Sequence, residues 1–419
     1  MRYIPRLIQE KLSAYRESFP CVVVVGARQV GKSTVLQHLF SKEAKTFVFD
    51  PVQDQFGARA DPDLFLRNHP PPLILDEIQY APELVPAIKR AIDRDRRAGQ
   101  FIMTGSQQWG VMRRLAESLA GRAAILELPG FSLCEIQENL SGGWLNRWLS
   151  VSASADATVI EHAFDGYAAL GESPSHRIWR GSFPEVQTLP EEVVPGWFLG
   201  YVSTYLQRDV RLSLELRDEV QFASFLSLCA ALTAQEVNAS HLGRDIGLAH
   251  TTARRWLDVL RGTCQWIELP AFTRNSVKRV SQKPKGHIAD TGLACHLMRI
   301  SSPEAVSGHP AFGSLFESMV VGDCLKQLQK ELTVPATWHY RRHSGAEVDL
   351  VLERDGKLFP IEVKATSNPM PRDAVGLTAF QTEYGAHSVD GLLVHAGDRV
   401  LRLGEHCWAV PFDLMATAE

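Results

Sequence analysis

Residues 26–34 constrain this chain more than any other segment, because they read GARQVGKST and fit the pattern G-x-x-x-x-G-K-[ST]. An apolar, β-branched run at 21–25 precedes them and predicts a buried strand, and residues 35–40 continue as an amphipathic helix. A strand, a glycine loop and a helix in this order predict a phosphate-binding loop, whose backbone N–H groups and helix dipole face phosphate oxygens. The predicted loop residues are Gly26, Ala27, Arg28, Gln29, Val30, Gly31, Lys32, Ser33 and Thr34.

Two loop residues carry the predicted nucleotide chemistry. Lys32 is expected to reach the β- and γ-phosphates of ATP, and Ser33 is expected to ligate Mg²⁺. We therefore expect ATP and Mg²⁺ as cofactors.

An acidic pair follows the next apolar strand. Three prolines at 70–72 break the chain before the run at 73–75, and Asp76 and Glu77 end that run. We expect this strand to lie beside the one that feeds the loop, with Asp76 holding Mg²⁺ through water and Glu77 acting as general base. The alternative is that the pair only ends a strand and caps the next helix, but its occurrence with the loop favours a nucleotide hydrolase.

Further candidates follow the strand at 100–106. Thr104, Ser106 and Gln107 could each sense the γ-phosphate or orient water, or could form an ordinary polar turn. An arginine that stabilises transition-state charge often comes from a neighbouring subunit, which would make the protein a homo-oligomer. Arg122 is the preferred candidate and Arg114 the second, the alternative being that both solvate the surface. Arg122 could also act within its own subunit.

Composition gives broader limits. A length of 419 residues predicts two to four domains, and 45% apolar with 22% charged residues is typical of globular proteins. The net charge of −4 means that nucleic-acid binding must depend on local patches. Seven scattered cysteines form no C-x-x-C pair, and no apolar run approaches a membrane span, so we expect a cytoplasmic protein without a membrane partner.

The chain divides into four predicted regions: an ATPase domain at 1–140, a helical connector or lid at 141–231, a winged helix at 232–300 and a further α/β domain at 301–419. The first alternates apolar strands with helices, which predicts an α/β fold with a parallel sheet. Its strands are expected near residues 21–25, 46–50, 73–76, 101–104 and 124–128.

The winged helix is predicted from two helices at 239–247 and 250–260, followed by strands at 265–272 and 286–290 around a basic turn at 274–279. Between Arg244 and Lys285 there are nine Lys or Arg and three Asp or Glu, a net charge of +6. Such a stripe suits contacts with DNA phosphates. Winged helices also serve as protein contacts or lids, so a protein partner is the alternative.

The last region contains a second group of carboxylates. Asp349 lies in a predicted strand, residues 354–357 form a hairpin turn, and the returning strand carries Glu362 and Lys364. The hairpin would place Asp349 near Glu362, so that both bind a second divalent cation, with Glu317 as a third ligand. Lys364 would orient a hydroxide or offset phosphate charge, so the domain either cleaves nucleic acid or only binds it.

Together these residues resemble a family of prokaryotic AAA-type ATPases, in which a P-loop domain precedes a winged helix and a C-terminal domain related to restriction endonucleases of the PD-(D/E)xK type. The resemblance spans nearly the whole chain and implies ATP binding and hydrolysis, but no substrate. One departure is the pair at 107–108, two glutamines where smaller hydroxyl residues are expected. The supporting segments are 26–34, 75–79, 104–106, 118–122, 181–185, 205–211, 316–317 and 347–364.

Two hypotheses follow. In the first, ATP turnover repositions the winged helix and the nuclease-like domain on DNA. In the second, the chain is a regulatory ATP switch whose later domains bind proteins and cut no nucleic acid.

Overall fold

The fold is mixed α/β and begins with a five-stranded parallel sheet. The computed structural model describes residues 2–105, 119–152, 162–204, 219–273, 283–342 and 345–417. All five predicted strands of the first region are present, as β1 (Cys21–Val25), β2 (Lys45–Val48), β3 (Leu73–Asp76), β4 (Phe101–Gly105) and β5 (Ala123–Glu127). Their order across the sheet is β2-β3-β4-β1-β5.

The strand order corrects one expectation. β3 does not lie beside β1, because β4 is inserted between them and pairs in parallel with both. β4 is buried along its whole length, so it takes an interior position where both faces of the strand are covered. As a result the end of β4, rather than of β3, is next to the phosphate-binding loop.

Helices cover both faces of this sheet. Alternate residues of β1 enter two separate cores, Val22 and Val24 on one face and Cys21 and Val23 on the other. Burial on both faces explains why the strands read as continuous apolar runs. The helices of this region are α1 (Gln9–Ser18), α2 (Lys32–Phe40), α3 (Pro62–Asn68), α4 (Leu84–Arg94) and α5 (Leu133–Ile136).

The predicted connector is joined to the end of the chain. It contains α6 (Trp144–Ser152), β6 (Tyr167–Ala169), α7 (Pro174–Arg180) and α8 (Val194–Thr204). β6 pairs antiparallel with the last strand, β16 (Leu414–Ala416), and the indole of Trp144 donates to the carbonyl of Phe412 at 3.1 Å.

The middle region combines helices with a small antiparallel sheet of three strands. The two helices expected to form a helix-turn-helix are present, at Ala239–Asp245 and His250–Gly262, and the basic turn at 274–279 lies outside the described residues. The elements in chain order are α9 (Glu219–Ala231), β7 (Gln235–Glu236), α10 (Ala239–Asp245), α11 (His250–Gly262), β8 (Trp266–Leu269), β9 (Lys285–Ile288), α12 (Thr291–Leu297) and α13 (Pro303–Ser307).

The last region is built on a six-stranded mixed sheet of order β10-β11-β12-β13-β15-β14. Its elements are α14 (Phe312–Leu328), β10 (Ala336–Arg341), β11 (Glu347–Arg354), β12 (Lys357–Lys364), α15 (Val375–Tyr384), β13 (Gly391–His395), β14 (Leu401–Gly404) and β15 (Cys407–Pro411). The expected hairpin joins β11 to β12 through Asp355 at φ 52° and Gly356 at φ 77°, the backbone of a type I′ turn.

Short 3-10 helices complete the described chain, at Ile78–Tyr80, Val186–Thr188, Glu191–Val193 and Pro371–Ala374. Among all these elements no helix has the length and apolar character needed to cross a membrane.

Candidate functional site

The phosphate-binding loop follows β1 and leads directly into α2. Gly26 has φ 151°, and a β-carbon at this position would lie 2.2 Å from the carbonyl oxygen of Leu128. Gly31 has φ 91° and precedes the first turn of α2, where its carbonyl accepts from the Val35 amide at 3.0 Å. Both positions therefore require glycine, so the loop has the close backbone packing of a phosphate cradle.

Lys32 lies within this loop and is buried. Its ammonium donates to the carbonyl oxygens of Gly26 at 3.0 Å and Ala27 at 2.7 Å. Burial lowers the pKa of Lys32 to about 8, although the nearby carboxylates of Glu77 and Asp76 favour the charged form. A phosphate group would supply the negative charge that the two carbonyls provide only in part.

Thr104 joins the acidic pair across the sheet. Its hydroxyl donates to the carboxylate of Asp76 and accepts from the Glu77 amide at 3.2 Å. Glu77 has φ 58°, a left-handed conformation, and its carboxylate accepts from the Gln79 side-chain amide. Three predicted residues from the ends of two strands, β3 and β4, are thus brought together at the carboxyl edge of the sheet, where ligands bind in parallel α/β folds.

The donor set fits a nucleotide with Mg²⁺. Ser33 lies in the first turn of α2, partly exposed, and Asp76 is buried at the end of β3. A hydroxyl and a carboxylate are ligands that Mg²⁺ accepts, and the ion would neutralise charge on the β- and γ-phosphates.

Arg6 is a residue of this site that the sequence analysis missed. Its guanidinium donates to the carbonyl of Val30 in the loop at 2.7 Å and pairs with Glu135 at 2.9 Å. Both side chains of the pair are 3–4% exposed, and the guanidinium lies over the ring of Phe131. No motif in the sequence marks Arg6. Its partner Glu135 could have been noticed, because Ser132 and Glu135 have the S-x-x-E spacing of the capping box that begins α5.

Arg122 lies away from this site in the same chain. It immediately precedes β5, whose first residue pairs with the first residue of β1, so it is at the amino edge of the sheet. The loop is at the carboxyl edge, about 15 Å along the strands at ~3.3 Å per residue. At this edge Arg122 pairs with Asp93 at 2.6 Å. Ser106, Gln107 and Arg114 lie outside the described residues.

The second group of carboxylates lines one open cleft. Glu317, Asp349, Glu362 and Lys364 all contribute to its wall, together with Glu347. β11 and β12 pair Leu350 with Ile361, and the same register one residue further places Asp349 opposite Glu362. The structure therefore brings the four predicted residues together.

An unpredicted lysine from β9 occupies the centre of these carboxylates. The ammonium of Lys285 lies 2.6 Å from Glu317, 2.5 Å from Glu347 and 2.7 Å from Asp349. Lys364 pairs with Glu362. Over the described ranges, no three or more His, Cys, Asp or Glu side chains form a group that could hold a metal ion as they stand, and the second metal centre stays a prediction.

Each charged side chain in the cleft changes the pKa of its neighbours. Burial and the Asp349 charge raise the pKa of Glu362, and burial and Asp349 do the same for Glu317. Burial also acts to raise the pKa of Asp349, but Lys285 and Lys364 outweigh it and the pKa is lowered. The three carboxylates outweigh the effect of burial on Lys285 and raise its pKa, so it is a permanent cation.

Comparison with known families divides the chain into three parts. Residues 18–137 match the family described as "AAA domain", residues 172–304 a "Domain of unknown function (DUF8612)", and residues 312–415 a "Domain of unknown function (DUF4143)". The first match includes the loop and the acidic pair, so this part of the chain is similar to the nucleotide-binding domain of AAA-type P-loop proteins.

Similar whole proteins are uncharacterised. A protein of Mycobacterium tuberculosis and one of Mycobacterium bovis are each 28% identical over 402 residues, which is 95% of this chain and 81% of theirs. Among solved structures, the Walker-type ATPase of Pyrococcus abyssi is 18% identical with a TM-score of 0.40, over 69% of this chain and 94% of its own. The RuvB Holliday junction branch migration motor of Thermotoga maritima is 18% identical with a TM-score of 0.30, over 67% and 95%.

Proposed function

We propose that this protein is a Mg²⁺-dependent ATPase whose nucleotide state controls how its middle region contacts DNA. The observation that supports the ATPase most directly is the hydrogen-bonded link from Thr104 to both Asp76 and Glu77 beside the phosphate-binding loop. In this proposal Lys32 binds the phosphates, Ser33 and Asp76 hold Mg²⁺, and Glu77 takes the proton of the attacking water. Thr104 holds the Asp76 carboxylate and the Glu77 backbone amide, and so fixes the end of β3.

The DNA part of the proposal is supported by the middle region. α9, α10 and α11 with the three strands β7, β8 and β9 follow the chain order of a winged helix. Arg254 and Arg255 are exposed on α11, and neither pairs with a carboxylate of the described chain. Free cationic side chains on one helix suit phosphate contacts, which are the main source of DNA affinity.

A route for coupling is offered by the turn after α11. Cys264, in this turn, has φ 57°. Burial and the neighbouring carboxyl of Glu127, at the end of β5, raise the pKa of its thiol to about 12, so the turn lies near the carboxyl edge of the first sheet. In this proposal, occupation of the loop displaces the end of the helix that carries Arg254 and Arg255.

A regulatory switch without nuclease activity is the second candidate, and one observation favours it. Lys285 takes the place that a catalytic divalent cation would need among Glu317, Glu347 and Asp349. A nuclease-like domain in this state binds rather than cuts. Cleavage of DNA would require a divalent ion at Asp349 and Glu362 and displacement of Lys285.

The experiment is ATP turnover by wild-type protein, Lys32→Ala and Glu77→Gln, with and without single- and double-stranded DNA, beside a Mg²⁺/Mn²⁺ nuclease assay. We expect Lys32→Ala to lose nucleotide binding, and Glu77→Gln to keep ATP bound without turning it over. Stimulation by DNA supports the DNA-acting ATPase; slow turnover that DNA leaves unchanged supports the switch. Normal turnover in Glu77→Gln would show that Glu77 is not the base.

Arg122 is the reason to propose a homo-oligomer. Because it lies at the amino edge of its own sheet, it could complete a nucleotide site only in a neighbouring subunit. Mixing Arg122→Ala with Glu77→Gln protein tests this, since activity recovered in the mixture requires sites shared between subunits.

A further inference from the structure

In the cleft of the last region, carboxylates surround the ammonium group of Lys285 as they would surround a metal ion. Lys285 is 3% exposed, and three carboxylate oxygens surround its Nζ atom at 2.5–2.7 Å. They come from α14 and β11, two elements that converge on one point. Carboxylate oxygens converging in this way are also the preferred ligands of a hard divalent cation.

The lysine does not use all of the acceptors in the cleft. Glu362 is 3% exposed, and its Oε2 atom has no hydrogen-bond partner among the described residues, although Lys364 pairs with the other oxygen. A buried carboxylate oxygen without a partner is costly and points to a missing ligand. Four carboxylates of the inner cluster, Glu317, Glu347, Asp349 and Glu362, face two ammonium groups, Lys285 and Lys364.

Lys285 is brought to the cleft by a different region of the chain. Its strand β9 belongs to the small sheet of the middle region, and hydrogen bonds dock this sheet on the last region. The hydroxyls of Thr233 and Ser318 lie 2.7 Å apart, and the ring of His339 bonds to the carbonyl of Lys283 at 3.0 Å. The position of the ammonium is thus a consequence of how the two regions pack.

We propose that Lys285 is an internal substitute for a divalent cation, so that the docked middle region keeps the carboxylate cleft free of metal. The ammonium and a divalent ion cannot share the same oxygens, because two cations within a few ångströms repel each other strongly in a buried site. Withdrawal of β9 leaves Glu317, Glu347, Asp349 and Glu362 free to bind the ion. This inference does not depend on the ATPase proposal.

The test measures Mn²⁺ binding to nucleotide-free protein, by the electron paramagnetic resonance signal of the free ion. Lys285→Met removes the charge and keeps a side chain of similar length. We expect it to bind one Mn²⁺ at least about tenfold more tightly than wild type, because one repelling charge is gone and three oxygens are released. Mn²⁺ should also raise the melting temperature of this variant but not of wild type. The exposed neighbour Lys283 gives the matched control, since Lys283→Met should behave as wild type.

Two results would overturn the proposal. One is equal Mn²⁺ affinity in wild type and Lys285→Met; the other is tight binding that persists in Lys285→Met/Asp349→Asn, since the ion would then lie elsewhere. If Lys285→Met does not fold, Lys285→Gln takes its place, because the amide carries no charge and can still donate to the carboxylates. The same comparison with wild type then decides.

Discussion

At the scale of single residues, Lys32 shows how burial prepares a binding group. The ammonium is held by the two loop carbonyls of Gly26 and Ala27, which carry only partial charge. Burial lowers its pKa to about 8, so a fraction of the side chain is neutral near that pH. Bound phosphates would favour the charged form and raise the pKa again.

This gives a prediction for the pH dependence of ATP binding. The pKa is about 8 without nucleotide and higher with it, so binding takes up a proton above pH 8. We expect ATP affinity to be constant below about pH 7 and to fall as pH rises past 8, approaching about tenfold per pH unit. A fluorescent ATP analogue titrated between about pH 7 and pH 9.5 measures this. An affinity that stays constant over the range would contradict it, and any binding left in Lys32→Arg should be independent of pH.

Arg6 and Arg2 give a second residue-scale prediction, about stability. Arg6→Ala leaves Glu135 buried without its partner, which should lower the free energy of unfolding by about 3–5 kcal/mol. Arg2 is the control, because it forms a similar pair with Glu138 at 2.6 Å but its side chain is 80% exposed. Arg2→Ala should cost less than about 1 kcal/mol. Urea unfolding measures the free energy of unfolding of both variants. An equal decrease in the two would show that the buried pair stabilises the protein no more than the exposed one.

At the scale of elements, α11 is the helix with two contacts of different kinds. Its exposed face carries Arg254 and Arg255, and Cys264 in the turn that follows it lies near Glu127 at the carboxyl end of β5. Its apolar face packs Ala253, Trp256 and Leu257 into the core. A rigid helix fixed in this way transmits a displacement at one end to the other.

The element-scale prediction concerns DNA binding by α11. Arg254→Glu/Arg255→Glu should weaken binding and lower the slope of log affinity against log salt by about one unit for each lost phosphate contact. Basal ATP turnover should be unchanged. A matched double reversal at two exposed arginines of α3 and α4, Arg67→Glu/Arg94→Glu, keeps the net charge equal and should retain the wild-type slope. An equal loss of DNA affinity in both double variants would mean that binding depends on the net charge of the protein and not on α11.

At the scale of the whole molecule, the predicted regions share one core. A single apolar cluster runs from Ile8 in the first region to Met415 in the last. Trp148 of α6 packs edge-on against Phe359 of β12. Lys11 of α1 donates to the carbonyls of Gln329 at 3.1 Å and Glu331 at 2.7 Å. The nucleotide site and the carboxylate cleft therefore belong to elements that pack against each other.

The sequence by itself determined the features that depend on neighbouring residues. The phosphate-binding loop, the five strands of the first sheet and the hairpin turn at Asp355 and Gly356 each follow from backbone preference and periodicity within a short segment. The fold class follows from the alternation of such segments. Local motifs are also sufficient to predict Lys32, Asp76, Glu77 and Thr104 as residues of the nucleotide site.

Only the tertiary structure decided which distant residues meet. Sequence pattern placed β3 beside β1, but strand order depends on packing of the whole sheet, and β4 lies between them. Arg6 meets Glu135 across 129 positions, and Lys285 meets Asp349 across 64. Periodicity reports which face of an element is buried, but carries no information on the partner across that face. The position of Lys285 among the carboxylates therefore could not be predicted from the sequence, because it depends on how the two regions pack.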